Sequence, residues 1–301
     1  MAKKIKKKQK TSKVQKIIPI EQEKNKLSMR EKTKAYLELS RVGNSLMAGI
    51  AILIGFYLSN GTNAFTAFFA TLSGMFICSA GQAINDYFDA EIDAKTSKHR
   101  PIPSGRIEKR KAVFYAMWLF FFGILGAFFI NIATLVIAVI FAILLIAYPM
   151  FTNKVKYIGN FVVAGGTAIT FIYGAAATGF IPSIVVFLAA TAFFSNLARE
   201  ITKDVEDIKK DKGSKRTLPM VLNAKTAKFF VVIYYALAII GGLSAYTLFG
   251  LNNYFLAFIL LSSAVFIYSA LLLFKNYNQK SQRISKIGML LSLIAFVLIV
   301  L

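Results

Sequence analysis

Residues 62–93 read TNAFTAFFATLSGMFICSAGQAINDYFDAEID, an apolar run that turns acidic at its end. About 20 apolar residues cross the hydrocarbon core of a bilayer, and residues 62–84 supply them. The acidic end carries D-x-x-D-x-x-x-D at Asp86, Asp89 and Asp93, and the same spacing recurs at Asp204, Asp207 and Asp211. At about 100° per helical residue, Asn85, Asp86, Asp89 and Asp93 share an arc of roughly 100°. Glu200, Asp204, Asp207 and Asp211 share one of about 60° by the same arithmetic. Like charges stacked at i,i+4 repel, so such a face needs compensation. A hard divalent cation provides it: Mg²⁺ takes oxygen from one or two carboxylates and completes its octahedron with waters and substrate phosphates. Mn²⁺ accepts the same ligands. The bland alternative is a pair of solvated helix ends, but each acidic stretch directly follows an apolar segment, and carboxylates at membrane depth mark function.

Composition bounds the fold. The chain has 301 residues, 56% of them hydrophobic, with a mean hydropathy of +0.59. That is too apolar for a water-soluble core, and the length allows many spans, so the fold class is all-α and polytopic. One cysteine, Cys78, and one histidine, His99, exclude an intrachain disulfide, a Cys/His zinc site and bis-His haem. The 36 Lys+Arg against 14 Asp+Glu give a formal charge of +22, suited to anionic headgroups and anionic substrates rather than nucleic acid.

Residues 1–26 are rich in lysine and lack apolar periodicity, which predicts a disordered polybasic tail lying on lipid. No apolar h-region follows it, so it does not read as a signal peptide. The remainder, 27–301, reads as one nine-helix domain. Ser28 and Glu31 form a capping-box pattern that opens an interfacial helix. Nine apolar segments follow, near 43–59, 62–84, 112–130, 132–149, 157–178, 183–201, 227–248, 252–274 and 284–301. The third and fourth form one run from Ala112 to Met150, in which Asn131 is the expected turn. Connections at 60–61, 131, 179–182 and 249–251 hold no Lys or Arg, whereas the tail and the alternate connections hold nearly all of them. The positive-inside rule then sets a multi-pass protein in the cell membrane with a cytoplasmic N-terminus, both acidic motifs cytoplasmic and the C-terminus outside.

The duplicated spacing predicts an internal repeat whose acidic faces meet across a central cavity, each followed by a basic loop with proline. Such a site could hold Mg²⁺ against a diphosphate while Arg and Lys neutralise the remaining oxygens. An allylic diphosphate ionised there needs a dry, aromatic-lined wall. The 28 Phe residues permit this, although most are expected to face lipid.

Asn85-Asp86-Tyr87-Phe88-Asp89-x-x-x-Asp93, followed by Arg100-Pro101-Ile102-Pro103-Ser104-Gly105-Arg106, closely resembles the first signature of the UbiA superfamily of intramembrane prenyltransferases. Arg199-Glu200-x-x-Lys203-Asp204-x-x-Asp207-x-x-x-Asp211, with Lys212-Gly213 and Thr217-Leu218-Pro219, is similar to the archaeal branch that makes digeranylgeranylglyceryl phosphate. The resemblance covers residues 29–301. It implies nine helices around a cavity capped by two cytoplasmic loops and open laterally to the bilayer. It also implies two Mg²⁺ ions, one served by Asn85, Asp89 and Asp93 with Asp86 beside them, the other by Asp204, Asp207 and Asp211. Asp89, Asp93, Asp204 and Asp207 are thereby the expected catalytic carboxylates. Substrate contacts are expected from Arg41 and Asn44, which match an Arg-x-x-Asn pattern, and from Tyr148 and Lys154 at the cavity mouth. Lys98, Arg100, Arg106 and Lys203 are the further candidates.

The activity the resemblance implies is transfer of a geranylgeranyl group from its diphosphate to the free hydroxyl of geranylgeranylglyceryl phosphate. Within the same class, an aromatic acceptor on a quinone pathway is the alternative. Outside it, the alternative is a divalent-cation transporter, disfavoured because both acidic clusters sit at one face beside basic loops.

Overall fold

The computed structural model describes residues 28–152, 156–211, 213 and 216–301; the polybasic tail and Lys154 lie outside them. Among the described residues all regular structure is helical: α1 (Met29–Leu39), α2 (Val42–Leu58), α3 (Ala64–Thr96), α4 (Lys109–Phe128), α5 (Ile132–Thr152) and α6 (Lys156–Ala176). There follow α7 (Ser183–Glu206), the short α8 (Ile208–Asp211) and α9 (Leu218–Leu222), then α10 (Ala224–Phe249), α11 (Asn253–Phe274) and α12 (Asn278–Val300). Eight of these helices are long and apolar enough to cross a bilayer alone. The 17-residue α2 reaches that length only together with α1, from which it bends by 53°, and this pair supplies the ninth span. The chain is a multi-pass membrane protein.

The local signals act as the sequence predicts. Ser28 Oγ accepts from the Glu31 amide at 3.3 Å while Glu31 Oε2 accepts from the Ser28 amide at 2.8 Å, closing the capping box that starts α1. Asn131 does separate α4 from α5. Its Oδ1 accepts from the Thr134 amide at 2.9 Å, and its Nδ2 donates to the Ala176 and Ala177 carbonyls, pinning the turn to the end of α6.

Two boundaries differ from expectation in ways that shape the site. Nothing in the sequence breaks α3 at residue 84, so it continues for 33 residues, about 50 Å at 1.5 Å per residue, and carries its acidic face out of the apolar layer. The second acidic stretch is not one continuous helix. Asp207 ends α7 with φ −86° and ψ 5°, and Asp211 follows on the single turn of α8.

Consecutive spans are neighbours, and α12 returns to pack on α2 and α7, closing the bundle. Its centre is the α2–α6 crossing. A Cβ added at Gly55 would stand 2.0 Å from the Phe171 carbonyl oxygen, and one at Gly174 would stand 1.9 Å from that of Ile52. The two backbones therefore touch, as small residues permit in membrane bundles. Large apolar side chains such as Phe65, Phe68, Trp118 and Phe121 cover the outside, where hydrocarbon replaces water.

Candidate active site

A cavity of about 580 Å³ lies between α2, α3, α5, α6, α7 and α12, within the range of small-molecule sites. On α3 its lining follows one stripe, from Gly74 through Ile77, Gly81 and Asn85 to Asp89 and Asp93. From Gly74 to Asp89 the rise is about 22 Å. The deep part is apolar, walled by Ile52, Phe141, Phe171 and Phe296, and the motif end is polar.

Both acidic stretches face this one cavity. Asn85, Asp89 and Asp93 line it from α3, and Asp207 and Asp211 line it from the end of α7 and from α8. The first aspartate of each motif does not. Asp86, 5% exposed, and Asp204, 1% exposed, are buried outside the lining. Helical arithmetic gives the reason: in each motif the first aspartate sits at the edge of the acidic arc, where a neighbouring element can claim it.

The neighbours differ. Asp86 Oδ1 accepts from Arg41 Nη2 at 2.6 Å and from Arg100 Nη1 at 3.5 Å, and Arg100 also pairs with Asp93. Asp204 Oδ2 accepts from Asn160 Nδ2 of α6 at 2.7 Å. Arg41 reaches Asp86 from the α1–α2 bend, where it adopts the left-handed conformation with φ 45°. That backbone is unfavourable by about 1 kcal/mol for a residue with a Cβ, and the partly buried pair with Asp86 helps offset it.

Asn85 is oriented from two sides. The Tyr148 hydroxyl donates to its Oδ1 at 2.9 Å, and its Nδ2 donates to Asp89 Oδ2 at 3.4 Å. A carbonyl oxygen has a second lone pair, so Asn85 Oδ1 keeps acceptor capacity toward the cavity.

Arg41, Asn44, Arg100, Tyr148 and Lys203 all line the cavity, as expected of substrate contacts. Lys98 and Arg106 do not. Lys98 is exposed on the loop after α3. Arg106 forms a two-pronged pair with Glu38 at 2.7 and 3.1 Å and donates to the His99 carbonyl at 2.5 Å, so it ties that loop to α1. Lys154 lies outside the described residues. Two lining residues escaped the sequence reading. Asn160 interrupts an apolar span with a polar side chain, whereas Lys286 closes the basic stretch that opens α12 and looks like any topology-setting lysine.

Among the described residues no three acidic, histidine or cysteine side chains stand together as a ready-made metal site. The donor chemistry nonetheless suits Mg²⁺, which needs few protein carboxylates because substrate phosphates and waters complete its shell. Each motif brings two carboxylates to the cavity wall, and α3 adds the Asn85 amide.

Residues 48–294 match the family model of the UbiA prenyltransferases. The chain belongs to that family. It is 34% identical over 273 residues to the digeranylgeranylglyceryl phosphate synthase of Thermococcus kodakarensis, covering 88% of this chain and 97% of that one. It is 36% identical over 268 residues to the enzyme of the same name from Methanopyrus kandleri, covering 87% and 98%. A solved structure concerned with digeranylgeranylglyceryl phosphate synthase in membranes superposes with a TM-score of 0.73 at 34% identity, covering 90% of this chain and 99% of that one. The fold is shared more widely. A UbiA homologue from Archaeoglobus fulgidus, solved with DMAPP and Mg²⁺, gives a TM-score of 0.60 at 19% identity, covering 87% and 99%.

Proposed function

We propose that this prenyltransferase transfers a geranylgeranyl group from its diphosphate to geranylgeranylglyceryl phosphate, forming an ether bond. The observation that carries the reading is the convergence of Asn85, Asp89, Asp93, Asp207 and Asp211 on the polar end of a single cavity with an apolar depth. The diphosphate binds between the two motifs and the prenyl chain runs down the α3 stripe toward Gly74.

Bound Mg²⁺ neutralises the diphosphate and makes it a better leaving group. Asn85, Asp89 and Asp93 would hold one ion, and Asp207 and Asp211 would hold a second. Tyr148 sets the Asn85 amide through the 2.9 Å bond, and Asp86 and Asp93 aim the Arg41 and Arg100 guanidinium groups at the same space. The C1–O bond breaks with its electron pair leaving on the diphosphate. The acceptor hydroxyl oxygen bonds to C1, and its proton leaves with the diphosphate. Water is kept out by the packed apolar wall of Ile52, Phe141 and Phe171. The basic ends of the spans support a site and an N-terminus on the cytoplasmic side of the cell membrane, with the C-terminus outside.

The test uses purified full-length protein with Mg²⁺ and labelled geranylgeranyl diphosphate, offered geranylgeranylglyceryl phosphate in one reaction and hydroxybenzoate in another. Label is expected in the glycerol ether. Label in the hydroxybenzoate product alone overturns the choice of acceptor, and label in neither overturns the enzyme assignment.

A further inference from the structure

The positive side chains around the cavity are not distributed evenly in their engagements. On the α3 side, Arg41 is committed to Asp86, and Arg100 to Asp86 and Asp93. On the opposite side α7 contributes Arg199 and Lys203, and α12 contributes Lys286. Arg199 pairs with its neighbour Glu200. Lys286, by contrast, makes no ion pair among the described residues, although it lies within electrostatic reach of Arg199, Lys203 and Glu200.

Position separates Lys286 from the ordinary basic residues that fix topology. It stands eight residues into α12, about 12 Å from its start, and, although exposed like Arg283 and Lys280, it alone of the three lines the cavity. Below it on the same helix, Leu290, Leu293 and Phe296 also line the cavity. These four positions fall within an arc of about 120°, so α12 presents a cation followed by a continuous apolar track. The order matches a ligand with an anionic head and a long hydrocarbon tail.

We infer that this face of α12 is the acceptor subsite: Lys286, with Arg199 beside it, takes the phosphate of the acceptor, and Leu290, Leu293 and Phe296 take its prenyl chain. The inference rests on the proposed reaction and assigns its second substrate to a place. Two anionic substrates then occupy different walls. The diphosphate sits between the acidic motifs, and the monophosphate is held by a cation outside both motifs. A small aromatic carboxylate would fill the cationic end of α12 and leave the apolar track empty, which gives a long-tailed phosphate acceptor the larger share of contact.

The experiment measures KM for each substrate separately in the full-length enzyme with Mg²⁺, for the unaltered chain, Lys286→Met and Lys286→Arg. A dephosphorylated acceptor, geranylgeranylglycerol, serves as the probe of the headgroup. Removing one charged contact to phosphate should raise KM for the phosphorylated acceptor about tenfold or more. KM for geranylgeranyl diphosphate should stay within about twofold, and Lys286→Arg should recover most of the loss, because either cation serves a phosphate. The unaltered enzyme should prefer the phosphorylated over the dephosphorylated acceptor, and Lys286→Met should abolish that preference. A rise in KM for the diphosphate instead would overturn the assignment by moving Lys286 to the donor site. An unchanged acceptor KM in Lys286→Met would overturn it outright. If the unaltered enzyme turns over hydroxybenzoate and not the glycerol phosphate, the reaction itself is wrong, an outcome distinct from both.

Discussion

Asp86 and Asp204 hold the same place in two copies of one spacing, yet the protein secures them by different means. Asp86 takes two guanidinium groups, one from the α1–α2 bend and one from the loop after α3. Asp204 takes an amide from α6 and is the more deeply buried of the two. The first motif is thereby joined to a bend and a loop through charge. The second is joined to α6 by, among its contacts, the Asn160 amide. What is common is the division of labour within each motif: the first aspartate fastens the helix, and the next two face the cavity. The repeat preserves a geometry, while its anchoring partners come from different elements.

The bluntest way to break this comparison is to show that the two stretches lie on different faces of the membrane. In a background without Cys78, an impermeant thiol reagent applied from outside should label a cysteine placed at Asn252 or Ser183 and miss one placed at Lys95 or Gly213. Labelling at 213 but not at 95 separates the motifs and ends the shared-site reading. The basic loops set the expectation, because moving several Lys or Arg across the bilayer opposes insertion.

Next in size is the loss of a cavity-facing carboxylate. Asp89→Ala and Asp207→Ala should each reduce turnover about 10²-fold or more, the equivalent of a few kcal/mol of leaving-group stabilisation. Both proteins should remain folded in detergent, as judged by elution profile and melting. Wild-type turnover from one variant would show that only the other motif serves the chemistry.

Removing the fastening partners sharpens the contrast. Asn160→Leu should lower stability by about 2 kcal/mol, since it strips a donor from a carboxylate buried in a dry interior. Arg41→Met should cost about 1 kcal/mol in the same thermal assay, because Arg41 is half-exposed, Arg100 stays within reach of Asp86 and the left-handed residue is no longer held by its pair. The reverse order would mean that charge, rather than burial, decides how firmly each motif is held. The smallest effect belongs to Arg106→Ala. Its pair with Glu38 is partly exposed, so the change should cost less than about 1 kcal/mol and leave both KM values within about twofold.

Much of this was legible from residues alone. The spans follow from uninterrupted apolar length, and Asn131 stood out as a turn because it divides a run too long for one helix. The acidic faces follow from the 3.6-residue period. That period also puts the first aspartate at the edge of each arc, but an edge position can turn toward the cavity or away from it. The choice was made by Arg41 and Asn160, which lie 45 and 44 residues away in sequence. Arg106 illustrates the same limit, since its partner Glu38 is 68 residues distant and a basic loop residue beside a motif looks like a substrate contact. The break at Asp207 is a local event with no proline or glycine to announce it. Lys286 carried no such signal, because it follows Lys280 and Arg283 at the basic start of α12, and which way it faced required the packing of α12 against α2 and α7.

The crossing of α2 and α6 acts as a gauge for the whole interior. Gly55 and Gly174 are not themselves in the cavity lining, but each backs onto a residue that is, Phe171 and Ile52, and both helices wall the cavity, through Ala48 and Ala51 on one side and Gly166 and Thr170 on the other. A methyl group at either glycine would have to push two backbones apart, and the displacement would be passed along rigid helices to the space where the prenyl chain lies. The calibre of the reaction chamber is thus set by two residues that never meet a substrate. Sequences selected for a bulkier or slimmer chain have a place to change that leaves every carboxylate and every cation where it is.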